Sequence, residues 1–157
     1  MNTVTTYRIK SRSSEETETA AAKLGEKLRG REVIVLNSDL GGGKTAYVRG
    51  LARGMGSTDH VSSPTFTISQ QYFASRSGLT LYHFDFYRLA DPGLIRLELS
   101  ESLEDPQAVT AIEWSGVVQE VLPAERLEVS IVRTGDMARD IVYSIPSSLA
   151  YLIPEAT

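Results

Sequence analysis

Between residues 32 and 55 the chain changes from an unbroken apolar run to a helical pattern, with a glycine cluster between the two. Glu32 to Asn37 (EVIVLN) reads as a strand buried on both faces, because β-branched residues follow one another without alternation. From Thr45 to Met55 the apolar residues Ala46, Tyr47, Val48, Leu51, Ala52 and Met55 follow a helical period that Gly56 closes. Upstream, residues 4 to 9 (VTTYRI) predict a short strand. Ser13 and Glu16 form the S-x-x-E box that opens a helix, whose narrow face of Ala20, Leu24 and Leu28 predicts an end near Gly30.

Downstream the period shortens to two. Residues 66 to 73 and 79 to 87 predict a hairpin around ASRSG, and in the second run Leu81, His83 and Asp85 share one face while Tyr82, Phe84 and Phe86 share the other. A short helix is expected after Pro92, then an apolar strand at Ala108 to Glu113 with the acid at its C-terminal end. A closing hairpin follows, from Leu127 to Arg133 and Asp140 to Ile145. Strand, glycine loop, helix and further strands predict an α/β protein. The expected architecture is one three-layer P-loop NTPase-like domain over residues 1–157, with a mixed central sheet flanked by helices.

Composition narrows the chemistry. The 157 residues contain no cysteine, which excludes a disulfide framework, a thiolate metal site and a cysteine nucleophile. Only two histidines, His60 and His83, are present, so any metal is expected to be bound by oxygen. The net charge of −4 disfavours direct nucleic-acid binding. No apolar leader or membrane span is recognisable, and a cytoplasmic location is expected.

The sharpest motif is Ser38-Asp39-Leu40-Gly41-Gly42-Gly43-Lys44-Thr45, between the buried strand and its helix. Consecutive glycine N–H groups can turn inward around a phosphate, and the helix N-terminus adds free donors and the positive end of its dipole. Lys44 is expected to reach the β- and γ-phosphates without touching the core, and Thr45 to bind Mg²⁺. Serine at 38 departs from G-x-x-x-x-G-K-[ST] and is expected to fit at some strain. Glu113 can hold Mg²⁺ through water or activate the attacking water. Asp85 lies in an aromatic-rich run and needs either Arg88 or a metal or phosphate site to account for it. His83 reads as a hydrogen-bonded strand residue and is left out of the catalytic set of Lys44, Asp85 and Glu113. Ser62 to Thr67 reads either as a capped strand entry or as a switch-like loop in which Thr65 or Thr67 senses the γ-phosphate.

Together these segments resemble the TsaE family, the small P-loop ATPases of bacterial tRNA threonylcarbamoyladenosine biosynthesis. The match runs through EET at 15 to 17, DLGGGKT at 39 to 45, SPTFT at 63 to 67, YHFDFYRL at 82 to 89, EW at 113 and 114, and LPAERLEV at 122 to 129. The resemblance implies ATP and Mg²⁺ as cofactors. It implies phosphate binding by Gly41, Gly42, Gly43, Lys44, Thr45 and Ala46, Mg²⁺ at Thr45 and Glu113, a required acid at Asp85, and Thr65 in a switch-like loop. Nucleotide contacts at Ser14 and Arg139 are expected at the start of the first helix and in the final hairpin. It also implies TsaD and TsaB as partners. ATP hydrolysis, slow in the isolated chain, resets their complex while TsaD transfers threonylcarbamoyl to adenosine 37 of tRNA, which is reached only through the complex. Two other classes stay open, a small-molecule P-loop kinase and a nucleotide-binding regulatory module without turnover.

Overall fold

A computed structural model describes residues 3–38, 43–61, 69–87, 93 and 95–154. Seven strands form one mixed sheet. They are β1 (Val4–Ser11), β2 (Val33–Asn37), β3 (Ser69–Ala74), β4 (Leu79–Asp85), β5 (Ala108–Glu113), β6 (Leu127–Arg133) and β7 (Arg139–Pro146), in the order β1-β7-β6-β2-β5-β4-β3. The middle four, β6, β2, β5 and β4, run parallel, and antiparallel partners β7 with β1 and β3 flank them.

Burial follows this order. Residues 33 to 36 of β2 and all of β5 are buried, as strands covered on both faces must be. One layer carries α1 (Ser14–Gly25) and α2 (Lys44–Met55) over Ile34, Leu36, Leu81, Val109 and Ala111. The other packs α3 (Ile95–Glu104) and a 3-10 segment, Ser115–Val121, over Val33, Val35, Phe84, Phe86 and Ile112. The three-layer α/β architecture expected from the hydrophobic pattern is therefore present. Among the described residues no helix is long and apolar enough to cross a membrane.

The predicted box caps α1 through its serine, while its glutamate takes the N–H one residue before the cap. Ser13 Oγ accepts from the Glu16 N–H at 3.1 Å, and the Glu16 carboxylate accepts from the Arg12 N–H at 2.6 Å. The helix end does not match the expectation, since α1 stops at Gly25 rather than near Gly30. The reason is Glu32, only 3% exposed, whose carboxylate accepts the Arg29 and Gly30 N–H groups, both at 2.7 Å. Those donors belong to a turn, which Gly30 completes at φ 112°, a conformation that costs glycine little. The Tyr151 hydroxyl, at 2.6 Å, gives Glu32 a further donor.

Helices α1 and α2 lie unusually close. A Cβ added at Gly50 would stand 2.1 Å from the Glu18 carbonyl oxygen, and one at Gly54 would stand 2.0 Å from that of Ala22. Equivalent contacts recur four residues on in both helices, so the two run parallel with their N-termini at the same end of the sheet. Beneath them, the buried Tyr47 hydroxyl of α2 donates to that of Tyr143 on β7 at 3.0 Å. Burial holds both phenols above their ordinary range, Tyr143 at about 12, so each stays neutral and the bond persists at physiological pH.

Candidate functional site

The site sits where the parallel strands end. Chain order passes from β2 to β5 and β4 on one side and to β6 on the other, so the C-terminal edge of β2 is a topological switch point. There α2 begins. Gly43 is its N-cap, at φ 106°, a left-handed conformation that a side chain would strain, and Lys44, Thr45 and Ala46 form the first turn. Gly41, Gly42 and Thr65 lie outside the described residues, as does Arg88. Ser38 is not among the described residues with positive φ, so its backbone does not take the left-handed conformation that favours glycine.

Lys44 is more buried than expected of a residue that leaves the core untouched. Its side chain is 7% exposed, and its ammonium lies 3.4 Å from Glu113 Oε1, 3.4 Å from the Ser38 carbonyl oxygen, and 4.6 Å from the centre of the Trp114 ring. A charge so withdrawn from water needs these partners. Trp114 follows Glu113 at φ 57°, an uncommon angle for a side chain of this size, and packs its ring 4.9 Å from that of Tyr87. The same turn leaves the indole partly exposed beside the site.

The two acids expected from the strand pattern meet as that pattern requires. Asp85 ends β4 opposite Glu113, which ends β5. The Glu113 carboxylate is buried between Lys44 and His83, whose Nε2 lies 2.5 Å from Oε2. His83 is a hydrogen-bonded strand residue, as expected, yet its partner is the carboxylate of Glu113, one of the acids in the expected catalytic set. Its place on the face of Asp85 was the available signal.

Asp85 is half-buried and accepts the Tyr87 N–H at 2.9 Å. Loss of hydration raises its carboxyl above the usual range; the Tyr87 N–H opposes this, Glu113 adds to it, and Lys44 and His83 oppose it. A carboxyl harder to ionise in the fold than in the unfolded chain favours folding while protonated. That advantage is lost as pH rises from the ordinary carboxylate range through the raised value. Asp85→Asn, which keeps an acceptor for Tyr87, is therefore expected to raise the melting temperature at neutral pH, with a smaller gain near about pH 3. Thermal melts at the two values check it, and a lower melting temperature at neutral pH would show that attraction to Lys44 and His83 dominates.

The two outlying residues also reach this end. Ser14, one turn before Glu18, stands level with Ala46, one turn before Gly50, because the helices are parallel. Arg139 opens β7, and its Nε lies 3.7 Å from where a Cβ at Gly43 would be. Its guanidinium donates to the backbone carbonyls of Gly135 and Ala138 at 3.2 and 2.8 Å, which holds it beside the loop. A cleft of about 390 Å³ opens here, lined by Ser38, Lys44, Trp114 and residues 130–132 of β6 among others.

Oxygen donors from Thr45, Asp85 and Glu113 suit a hard cation. Among the described residues no three His, Asp or Glu side chains converge as a metal cage. Mg²⁺ needs no such cage, since it keeps several waters and takes one or two protein oxygens together with phosphate. The donor set therefore fits Mg²⁺ delivered with a nucleotide.

Comparisons with known proteins place the chain in a family. The profile of the family described as "Threonylcarbamoyl adenosine biosynthesis protein TsaE" matches residues 11–141. The tRNA threonylcarbamoyladenosine biosynthesis protein TsaE of Bacillus subtilis is 40% identical over 130 residues, 83% of this chain and 80% of its own. The TsaE protein of Rickettsia bellii is 36% identical over 129 residues, 81% of this chain and 87% of its own. Among solved structures, that of YdiB from Bacillus subtilis superimposes with a TM-score of 0.78 at 32% identity, covering 96% of this chain and 93% of its own. With the matched region running from the end of β1 into β7, through Lys44, Asp85 and Glu113, the chain belongs to the TsaE family of threonylcarbamoyl adenosine biosynthesis proteins.

Proposed function

We propose that the protein binds ATP with Mg²⁺ at the N-terminus of α2 and hydrolyses it, slowly alone and faster with TsaB and TsaD, in support of their modification of tRNA at position 37. The observation that carries this reading is the meeting of the Lys44 ammonium and the Glu113 carboxylate at 3.4 Å, at the switch point where parallel strands end and α2 begins. A helix N-terminus supplies backbone donors to phosphate oxygens, and a lysine at its first position neutralises charge developing on the β- and γ-phosphates. Mg²⁺ would supply charge neutralisation between those phosphates, held by the Thr45 hydroxyl and by Glu113 directly or through water. Glu113 and Asp85 are the acids placed to orient the attacking water.

Binding phosphate requires Lys44 to loosen its hold on Glu113, which frees the Oε1 atom of the carboxylate for the reaction. The resting ion pair thus keeps both groups buried and compensated until a phosphate replaces the acid as the partner of the ammonium. The chain's acidic balance leaves tRNA contact to its partners, and a cytoplasmic location goes with that work.

ATP hydrolysis measured with and without TsaB and TsaD tests the reading. Turnover that rises on adding both supports it; phosphorylation of a small acceptor would instead indicate a kinase, and nucleotide binding without turnover a regulatory module. Glu113→Ala is expected to lower Mg²⁺-dependent turnover about a hundredfold while ADP affinity changes far less, because ADP still rests on backbone donors. Steady-state kinetics beside calorimetry of ADP separates the two effects. Equal loss of both would place Glu113 in the nucleotide site rather than in the reaction.

A further inference from the structure

His83 is completely buried on β4, between β3 and β5, and its side chain makes one hydrogen bond among the described residues, to Glu113. A carboxylate can only accept, so the 2.5 Å contact with Glu113 requires the proton on Nε2. Nδ1 is then the bare nitrogen unless the ring is charged, and it has no hydrogen-bond partner among the described residues. A buried acceptor without a partner weighs against stability, and leucine would fill the same place on the apolar face beside Leu81 and Ala111 without that loss. An imidazole here serves its Nε2–H.

We propose that His83 is a positioning residue for Glu113: its Nε2–H holds Oε2, which points Oε1 at Lys44 and at the phosphate site. Registry explains why position 83 can do this. His83 pairs with Ala111, one step inward from the Asp85 and Glu113 pair on the same face, so its ring can reach back to the carboxylate from the closed side. Lys44 approaches that carboxylate through the other oxygen. When Lys44 turns to phosphate, His83 still anchors Glu113, and the acid keeps one orientation through the exchange. The kinetic consequence rests on the ATP-hydrolysis reading above; the anchoring of Glu113 does not.

Two readouts test this. Trp114 is the sole tryptophan, and its ring lies under the Lys44 ammonium that Glu113 holds, so its emission reports the arrangement without nucleotide. His83→Met, which removes the donor at similar size, is expected to alter Trp114 emission in the ligand-free protein in the same direction as Glu113→Ala. His83→Gln, whose amide reaches about as far as Nε2, should retain the wild-type spectrum. In turnover, His83→Met should lower kcat about ten- to a hundredfold with little change in KM for ATP, and His83→Gln should recover most of it. Circular dichroism identifies any variant that fails to fold; His83→Asn, whose shorter amide cannot reach Glu113, then replaces His83→Met with the same expected losses. Wild-type emission in His83→Met, or equal losses in the Gln and Met variants, would overturn the proposal. If the wild-type protein hydrolyses no ATP with or without partners, the functional reading fails, and the emission of ligand-free variants still decides whether His83 holds Glu113.

Discussion

Lys44→Ala is expected to lower ATP turnover at least about a hundredfold, the scale on which removing one preorganised charge from a transferring phosphoryl group acts. It is also expected to lower stability. The lysine is buried against Glu113, and its removal leaves that carboxylate with His83 as its one remaining close charged or polar side-chain partner among the described residues, a loss of about 1–3 kcal/mol. The two effects can be separated. Lys44→Met with Glu113→Gln removes both charges and keeps the packing, so it should recover much of the stability while turnover stays lost. Thermal melts with a coupled ATPase assay measure both quantities. Wild-type turnover in Lys44→Ala would remove the phosphate-binding assignment, and recovery of turnover in the double variant would show that its loss came from the fold.

Gly54→Ala is expected to destabilise the protein by about 3 kcal/mol, more than the roughly 1 kcal/mol that alanine gains over glycine in a helix. The methyl group would stand 2.0 Å from the Ala22 carbonyl oxygen, a backbone atom that no rotamer change can move aside. Helix α1 must therefore retreat from α2. For a chain of this size the melting temperature should fall by about 6–12 °C. Gly116→Ala provides the control, because nothing lies within 4 Å of the Cβ it would gain. The retreat of α1 should also move Ser14 away from its level with Ala46, so nucleotide affinity should fall in Gly54→Ala if Ser14 contacts the nucleotide. Unchanged melting in Gly54→Ala would mean that the two helices tolerate a wider spacing than the one observed.

Much of the molecule was legible because local pattern and tertiary environment agree. The apolar run at 33 to 36 can only be buried on both faces, and β2 is indeed covered by helices on each side. Alternation placed His83 and Asp85 together, and an acid ending an apolar strand placed Glu113 beside the glycine loop. The end of α1 was not legible, because Leu28 continues the helical period while the competing acceptor, Glu32, acts only once the chain has turned. Gly50 and Gly54 leave no local signal of their role, which is to admit the backbone of a second helix.

The sequence by itself determined the succession of strands and helices, the α/β class, and the positions of Lys44 at a helix start and of Asp85 and Glu113 at strand ends. Each depends on periodicity or spacing within a few residues. Tertiary structure alone decided the partners. Lys44 pairs with Glu113 and covers Trp114, His83 takes the other carboxylate oxygen, Ser14 comes level with Ala46, and Arg139 comes beside Gly43. These meetings join residues tens of positions apart, and they follow from strand order and from the parallel packing of α1 on α2. Neither leaves a period in the chain, because the energy that selects them lies in burial and charge compensation between elements.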